Sequence, residues 1–413
     1  MADQFSAAFF RANRAKLQQQ LGDGLIALTA HGVLQRSSDT THSFAQERNF
    51  WYLTGVNEPD VILVMEEREA YLIVPPSDPT HEVFNGSLDH DSLSQISGID
   101  VIQTYDIGWR RLRASLRKTR LVHTIVPGPL YEPHHRFYVN PARRRFYHAL
   151  QRASGAATTF RDIRAELSKL RAVKQDVELE AIRRAVDITV ETIESLRGAA
   201  TLETMQTEYV LEAAISEGFR RRGAAGHAYT PIVASGMHAT TLHYVANNGA
   251  MIPGDLVVLD VGAEVGNYAA DISRTVSHKP VSDRQAAVYD AVRQVQSTAQ
   301  TLLRPGTLLR EYEQQVCTLI GEQLVMLGLV SDSTDHSAVR RYYPHAASHF
   351  LGLDVHDAGD YNLPLEAGMV LTCEPGIYIP EEGIGVRIED DLLITKNGVE
   401  NLSRNCSYEP YVI

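Results

Sequence analysis

Apolar and polar residues alternate in short blocks along the first 165 or so positions. Ala8 to Leu21 reads as a helix. Leu25–Thr29, Val61–Met65, Tyr71–Val74 and Val122–Val126 are apolar runs of strand length. Strands alternating with helical stretches predict an α/β layer with a mixed or parallel sheet. Within it, the aromatic tract Asn49-Phe-Trp-Tyr-Leu-Thr-Gly55 runs into a turn at Asn57-Glu-Pro-Asp60.

The pattern changes near residues 165–175. A long helix is predicted after Asp176, with that aspartate as N-cap and Glu178 and Glu180 near the positive end of the helix dipole. Leu179, Ile182, Val186, Val190 and Ile193 fall on its one apolar face. Further helices are predicted over Glu203–Phe219, Ser282–Leu303 and Leu309–Leu327. Ser282-x-x-Gln285 has capping-box spacing, and Arg304-Pro-Gly306 closes that helix. Strand-rich stretches at 230–276 and 346–395 lie between and after these helices. Helices and antiparallel strands sharing one half give an α+β arrangement. The expected domains are 1–168 and 169–413.

Composition adds little to this: 413 residues suit two domains, and 44% hydrophobic residues supply two cores. Charge narrows the partners. A formal charge of -12 argues against nucleic acid and anionic membrane, both of which need a basic footprint. Peptidic substrates and cations remain. No apolar run approaches the about 18 residues of a membrane span, and Met1 to Ala8 lacks a signal-peptide pattern. Cys317, Cys373 and Cys406 are far apart and form no C-x-x-C. That argues against a disulfide framework or structural zinc and favours the cytoplasm.

Chemistry concentrates in a faint internal duplication. Gly254-Asp-Leu-Val-Val-Leu-Asp260-Val-Gly262 resembles Gly368-Met-Val-Leu-Thr-Cys-Glu374-Pro-Gly376. In both, a glycine opens a hydrophobic strand that ends in a carboxylate. Asp260 and Asp271 are symmetric about Val265-Gly266, and Glu374 and Glu389 about Glu381-Glu382. Two hairpins without bulges would set each acid across from its mate, with Cβ atoms about 4.5–5.5 Å apart. Ionised carboxylates at that distance repel and are costly to bury. A shared proton can relieve one pair; two converging pairs call for cations. Four histidines accompany them: His243, and His345, His349 and His356 within Pro344 to Asp357. One histidine with four carboxylates suits manganese, cobalt or iron at least as well as zinc. Two such metals about 3.5–4 Å apart can share a hydroxide and polarise a carbonyl, which is hydrolysis chemistry. Arg387 shares a strand face with Glu389, as a counter-ion or as a group that fixes ligand geometry. Asp357, Asp390 and Asp391 read as solvated, capping or supporting groups, and His238 shows no evident partner.

On these residues, the stretch from about 170 to 402 resembles the pita-bread metallopeptidases, above all aminopeptidase P and prolidase. The matching stretches are Leu259-Asp-Val-Gly-Ala263 with Asp271-Ile-Ser-Arg-Thr275, Ser348 to Asp357, Glu374-Pro-Gly376 and Arg387-Ile-Glu-Asp390. The Asn49-to-Asp60 tract resembles the non-catalytic domain of aminopeptidase P, so the likeness spans almost the whole chain. It implies a creatinase-like α/β domain followed by a pita-bread domain, a curved antiparallel sheet flanked by helices. It implies that Asp260, Asp271, His349, Glu374 and Glu389 bind two divalent metals, with Asp271 and Glu389 bridging. Manganese is expected first, with cobalt or zinc as alternatives. A metal-bridging hydroxide would attack the peptide carbonyl, and Glu374 would accept the proton. His243 and His356 would contact substrate and the tetrahedral intermediate, and His345 would shape the proline side. Arg387 would support the ligands. The implied activity is that of an Xaa-Pro aminopeptidase, acting on peptides with proline at the second position.

The loop from Asp357 to Cys373 holds no Arg or Lys. Prolidases usually carry an arginine there for the dipeptide's free carboxylate, so its absence favours the aminopeptidase over an Xaa-Pro dipeptidase. Phe84 stands where aminopeptidase P carries a tryptophan that reaches a neighbouring subunit, which leads to the expectation of a homo-oligomer, dimer or tetramer. A reading of another class is a metal-free peptide- or protein-binding module on the same fold. The filled ligand positions weigh against it.

Overall fold

The computed structural model describes residues 5–76, 79–86, 89–197, 204–277 and 279–410. The helix start expected at Glu203 lies outside them. Contacts divide the chain into two compact units, Met1–Leu170 and Arg171–Ile413.

In the first unit, six strands form a mixed sheet. Their order is Thr159–Asp162, Leu121–Thr124, Leu25–Thr29, Ile62–Met65, Ala70–Ile73, Val101–Gln103. Leu25–Thr29 runs antiparallel to Ile62–Met65 and parallel to Leu121–Thr124. Every residue of Ile62–Met65 is buried, as a central strand covered on both faces requires. Trp109, Leu112 and Leu116 of helix Tyr105–Leu116, with Phe146 and Leu150 of helix Ala142–Ala153, share a core with Ile62, Val64, Tyr71 and Ile73. The aromatic tract is itself a helix, Arg48–Thr54, whose first turn is capped by the Glu47 carboxylate at 2.6 Å from the Phe50 N–H.

The first helix of the second unit, Asp176–Leu196, is capped by Gln175 rather than Asp176. Moving the cap one residue back places Glu178 third in the helix. There its carboxylate accepts the Gln175 backbone N–H at 2.9 Å and completes a capping box. Ser282 and Gln285 form the box that their spacing predicts, ahead of Asp283–Leu302. Helix Asp176–Leu196 pairs with Glu208–Arg221, and Asp283–Leu302 pairs with Leu309–Met326. The first pair packs on strands between Gly226 and Ala269, the second on strands between Val370 and Asn401. Each helix pair therefore backs one of the two glycine-to-carboxylate segments, and the duplication is architectural.

Both segments fold into antiparallel hairpins broken at the acids. In the first, Val257–Val261 pairs with Ile272–Val276, and beyond Gly262 the ladder resumes between Ala263–Val265 and Tyr268–Ala269. The turn is Gly266-Asn267, both left-handed at φ 56° and 68°, the two-residue turn that matches strand twist. Sequence symmetry places the pivot one residue earlier. The observed register therefore sets Asp260 opposite Ser273, not Asp271. Moving a pivot by one residue moves the partner by two, which keeps the face, so Asp271 remains a diagonal neighbour of Asp260. The second hairpin keeps the expected symmetry. Cys373 pairs with Asp390 before its break and Gly376 with Arg387 after it, which sets Glu374 across from Glu389.

The first break is crowded. A Cβ on Gly262 would stand 1.7 Å from the Ala270 carbonyl oxygen. Gly262→Ala is therefore expected to destabilise the protein by about 1–3 kcal/mol, the usual cost of forced overpacking. An unchanged thermal midpoint would show that the strands can part here at no cost.

Candidate metal centre

Asp271, Glu374 and Glu389 come from the breaks, where backbone pairing lapses and side chains can converge, and Asp260 from the paired strand just before the first break. The Glu389 N–H donates to Ser273 O at 3.0 Å, which ties the second hairpin to the first. His349 comes from the segment before Phe350, whose isolated bridge to Leu371 anchors it beside the second hairpin. The His349 backbone N–H donates to Thr372 Oγ1 at 3.1 Å. Its ring Nδ1 lies 3.0 Å from Phe350 O. A carbonyl only accepts, so Nδ1 carries the proton and a neutral ring offers its Nε2 lone pair to the cavity. Nε2 lies 3.3 Å from Asp271 Oδ2 and 3.4 Å from Glu374 Oε1. Ligand atoms of Asp271, His349 and Glu389 all lie within 4.8 Å of one another.

One cavity of about 700 Å³ is lined by Asp260, Asp271, His349, Glu374 and Glu389, and by His243, His345, His356 and Arg387. His243 and His356 are exposed on its wall, and the His356 ring meets that of His349 edge-on at 4.4 Å.

Arg387 is 4% exposed and does more than neutralise. Its Nη2 donates to Asp260 Oδ2 at 2.6 Å, its Nε to Ser273 Oγ at 2.9 Å and its Nη1 to the Tyr378 hydroxyl at 3.0 Å. Ser273 Oγ in turn donates to Glu389 Oε2 at 2.7 Å. The Tyr378 hydroxyl lies 2.9 Å from His345 Nε2. One guanidinium thus links acids of both hairpins to a cavity histidine.

The electrostatics are unbalanced in a telling way. Burial drives the carboxyls of Asp271, Glu374 and Glu389 above the usual range, Glu374 to about 7, and repulsion from neighbouring acids, Asp260 among them in each case, adds to it. Burial alone would lower His349, but its hydrogen bond to Asp271 and the charge of Glu374 carry it to about 9. Burial and the Arg387 cation push His345 down to about 3, so it is neutral near pH 7. Tyr229 Oη lies 2.6 Å from both Asp260 Oδ1 and Asp271 Oδ1. A hydroxyl has one proton, so one of these contacts lacks a hydrogen whenever both acids are ionised. The crowded acids, the raised His349 and the shared Tyr229 hydroxyl are each relieved by positive charge placed among the acids. The donor set, carboxylate oxygens with one imidazole nitrogen, fits divalent cations.

Several groups escaped the sequence reading. Tyr229 lies in an irregular segment, where no period marks it. Ser273 was legible, two residues beyond Asp271 on the same strand face. Asp357, Asp390 and Asp391, read as solvated or supporting groups, are all buried. Asp357 pairs with Arg171 and Lys174, and Asp390 with Arg274 at 2.7 Å. Asp391 accepts the Asp271 backbone N–H at 3.0 Å. His238 does have a partner, Glu208 Oε1 at 2.8 Å from its Nδ1.

Comparison with known proteins agrees with this architecture. Residues 180–396 match the profile of Metallopeptidase family M24, and residues 10–123 that of Aminopeptidase P, N-terminal domain. The Xaa-Pro aminopeptidase of Escherichia coli (strain K12) is 34% identical, over 97% of this chain and 95% of that protein. Xaa-Pro aminopeptidase 3 of Mus musculus is 34% identical, over 94% of this chain and 79% of its own length. The solved structure of aminopeptidase P from E. coli with the inhibitor Pro-Leu superposes with a TM-score of 0.87 at 31% identity, covering 98% of this chain and 97% of the other. With both segments matched and the likeness running nearly end to end, this chain belongs to the aminopeptidase P family of the M24 metallopeptidases.

Proposed function

We propose that the chain is an Xaa-Pro aminopeptidase, hydrolysing the bond between an N-terminal residue and a following proline. The observation that carries this reading is the convergence of four carboxylates, Asp271 and Glu389 buried and Asp260 and Glu374 half-buried, and one imidazole on a single cavity. Asp260, Asp271, His349, Glu374 and Glu389 would hold two divalent ions, with manganese favoured over cobalt and zinc. When bound, such ions activate water and polarise the scissile carbonyl.

The chain's own groups supply the rest. Glu374, on the cavity lining beside His349, would take the proton of the attacking water and return it to the departing proline nitrogen. His243 and His356, on the exposed wall, donate to the substrate carbonyl as negative charge develops there. Neutral His345, held against Tyr378, lines the proline side without adding charge. Leu242, Val245, Val355 and Tyr361 give the same cavity an apolar wall. A proline at the scissile bond brings no N–H to satisfy, which suits such a wall. The described residues that line this cavity all belong to Arg171–Ile413, and we assign Met1–Leu170 a non-catalytic role.

The test is release of the first residue from an Xaa-Pro-Yaa tripeptide by the full chain supplied with manganese, cobalt or zinc in turn. Activity should vanish on chelation and return on metal addition. Intact tripeptide under all three metals would overturn the proposal in favour of a binding module. A strict requirement for the free carboxylate of an Xaa-Pro dipeptide would instead make it a dipeptidase.

A further inference from the structure

The cavity wall bearing Leu242, His243 and Val245 belongs to segment 236–249, which holds one short 3-10 helix, Gly236–Thr240, and no strand. Something other than a ladder must hold it in place. Beneath it lies Glu208, the first residue of helix Glu208–Arg221, fully buried. Its Oε1 accepts from the Ser235 N–H and from His238 Nδ1, both at 2.8 Å. Its Oε2 accepts from the Tyr244 hydroxyl at 2.8 Å and from the Gly249 N–H at 2.6 Å. These four donors run from one end of the segment to the other.

Glu212, one helical turn on, accepts from Asn247 Nδ2 at 2.9 Å. The Asn247 amide also donates to Pro231 O at 2.9 Å and accepts the Val233 N–H at 3.0 Å. The His238 ring stacks on Tyr244 at 4.2 Å. With His238, Tyr244 and Asn247 drawn toward the helix, the residues between them are left to face the cavity. A buried carboxylate is costly unless its lost water is replaced. Here four donors and the positive end of a helix replace it. That is a heavy investment for a group that does not itself line the cavity.

We propose that Glu208, assisted by Glu212, is a positioning residue that fixes segment 236–249 so that His243 meets the substrate. This rests on the role assigned above to His243. The charge is the essential part. A glutamine of the same shape would turn an N–H toward donors at whichever oxygen it replaced.

The experiment is a double-mutant cycle on the manganese-loaded full chain, with an Xaa-Pro-Yaa tripeptide as substrate. Glu208→Gln should lower kcat/KM by at least about tenfold, with manganese stoichiometry unchanged. In a His243→Ala background the same change should cost less than twofold, because the imidazole it places is gone. Equal losses in both backgrounds would mean a merely structural role and would overturn the inference, as would wild-type kcat/KM in Glu208→Gln. Wild-type kcat/KM in His243→Ala alone would refute the role given to His243, and the inference would fall with it. Should Glu208→Gln not fold, Tyr244→Phe carries the same cycle with an expected loss of about threefold, since it removes one donor and leaves the carboxylate.

Discussion

Glu389→Gln is expected to lower kcat/KM by more than about 100-fold, the upper end of what residues outside the ligand shell cost, and to reduce bound metal below the wild-type content. Glu389 is 2% exposed and faces Glu374 across the broken hairpin. Its Oε2 receives the Ser273 hydroxyl, and it shares a cluster with Asp271 and His349. An amide keeps the volume but loses the charge that would attract and hold a cation. The metal-free proteins should rank in the opposite order. Burial and the neighbouring acids hold the Glu389 proton affinity well above normal, so the folded metal-free chain resists its ionisation. For a group raised in this way, stability is fully present below the unfolded value near 4.3 and is lost as pH rises toward the folded value. Chelated Glu389→Gln lacks that loss and should melt higher than chelated wild type at pH 7. Metal analysis, steady-state kinetics and melting with and without chelator check all three. A variant with full metal and full activity would remove Glu389 from the centre.

Asp357→Asn is expected to cost about 3–5 kcal/mol at pH 7, the range for breaking a buried ion pair by deleting one partner. The Asp357 side chain is 1% exposed and meets Arg171 and, at 3.0 Å, Lys174, which are 3% and 1% exposed. Arg171 keeps a second acid, Asp354 at 2.6 Å, whereas Lys174 would lose its carboxylate partner. The pH dependence has a definite sign. Burial alone would raise the Asp357 carboxyl, but the two cations outweigh it and hold it below its ordinary value. Its contribution is therefore complete above the unfolded value near 3.9 and fades as pH falls through the lower folded value. Urea titrations should show a wide gap between wild type and variant at pH 7 that narrows in acid. A gap under about 1 kcal/mol at pH 7, the scale of an exposed pair, would mean the cluster is effectively solvated.

How much of this was visible in the sequence depended on distance along the chain. The hairpins and their acids were legible because turn, strand and carboxylate sit within a few residues of each other. The pivot at Gly266-Asn267 was missed by one position, yet the error left Asp260 and Asp271 on one face because strand side chains repeat every two residues. The capping box at Ser282 was read correctly for the same local reason. The box at Gln175 was misread because Asp176 is the more usual cap type. What stayed hidden was long-range charge pairing. Arg171 and Asp357 stand 186 residues apart, and Arg274 and Asp390 116. Neither member of such a pair carries a local sign of its partner, so a buried acid passes for a solvated one. Tyr229 was silent for a related reason. Its importance comes from touching two carboxylates 31 and 42 residues away, from a segment with no period of its own.

The broken ladders also bear on what the smallest competent unit can be. Asp260 and Asp271 come from the first repeat, and Glu374 and Glu389 from the second. Arg387 of the second reaches back to Asp260, while Ser273 of the first supports Glu389. Competence therefore belongs to the seam. A lone repeat, however well folded, would present an incomplete ring of charge and would need a twin before it could hydrolyse anything.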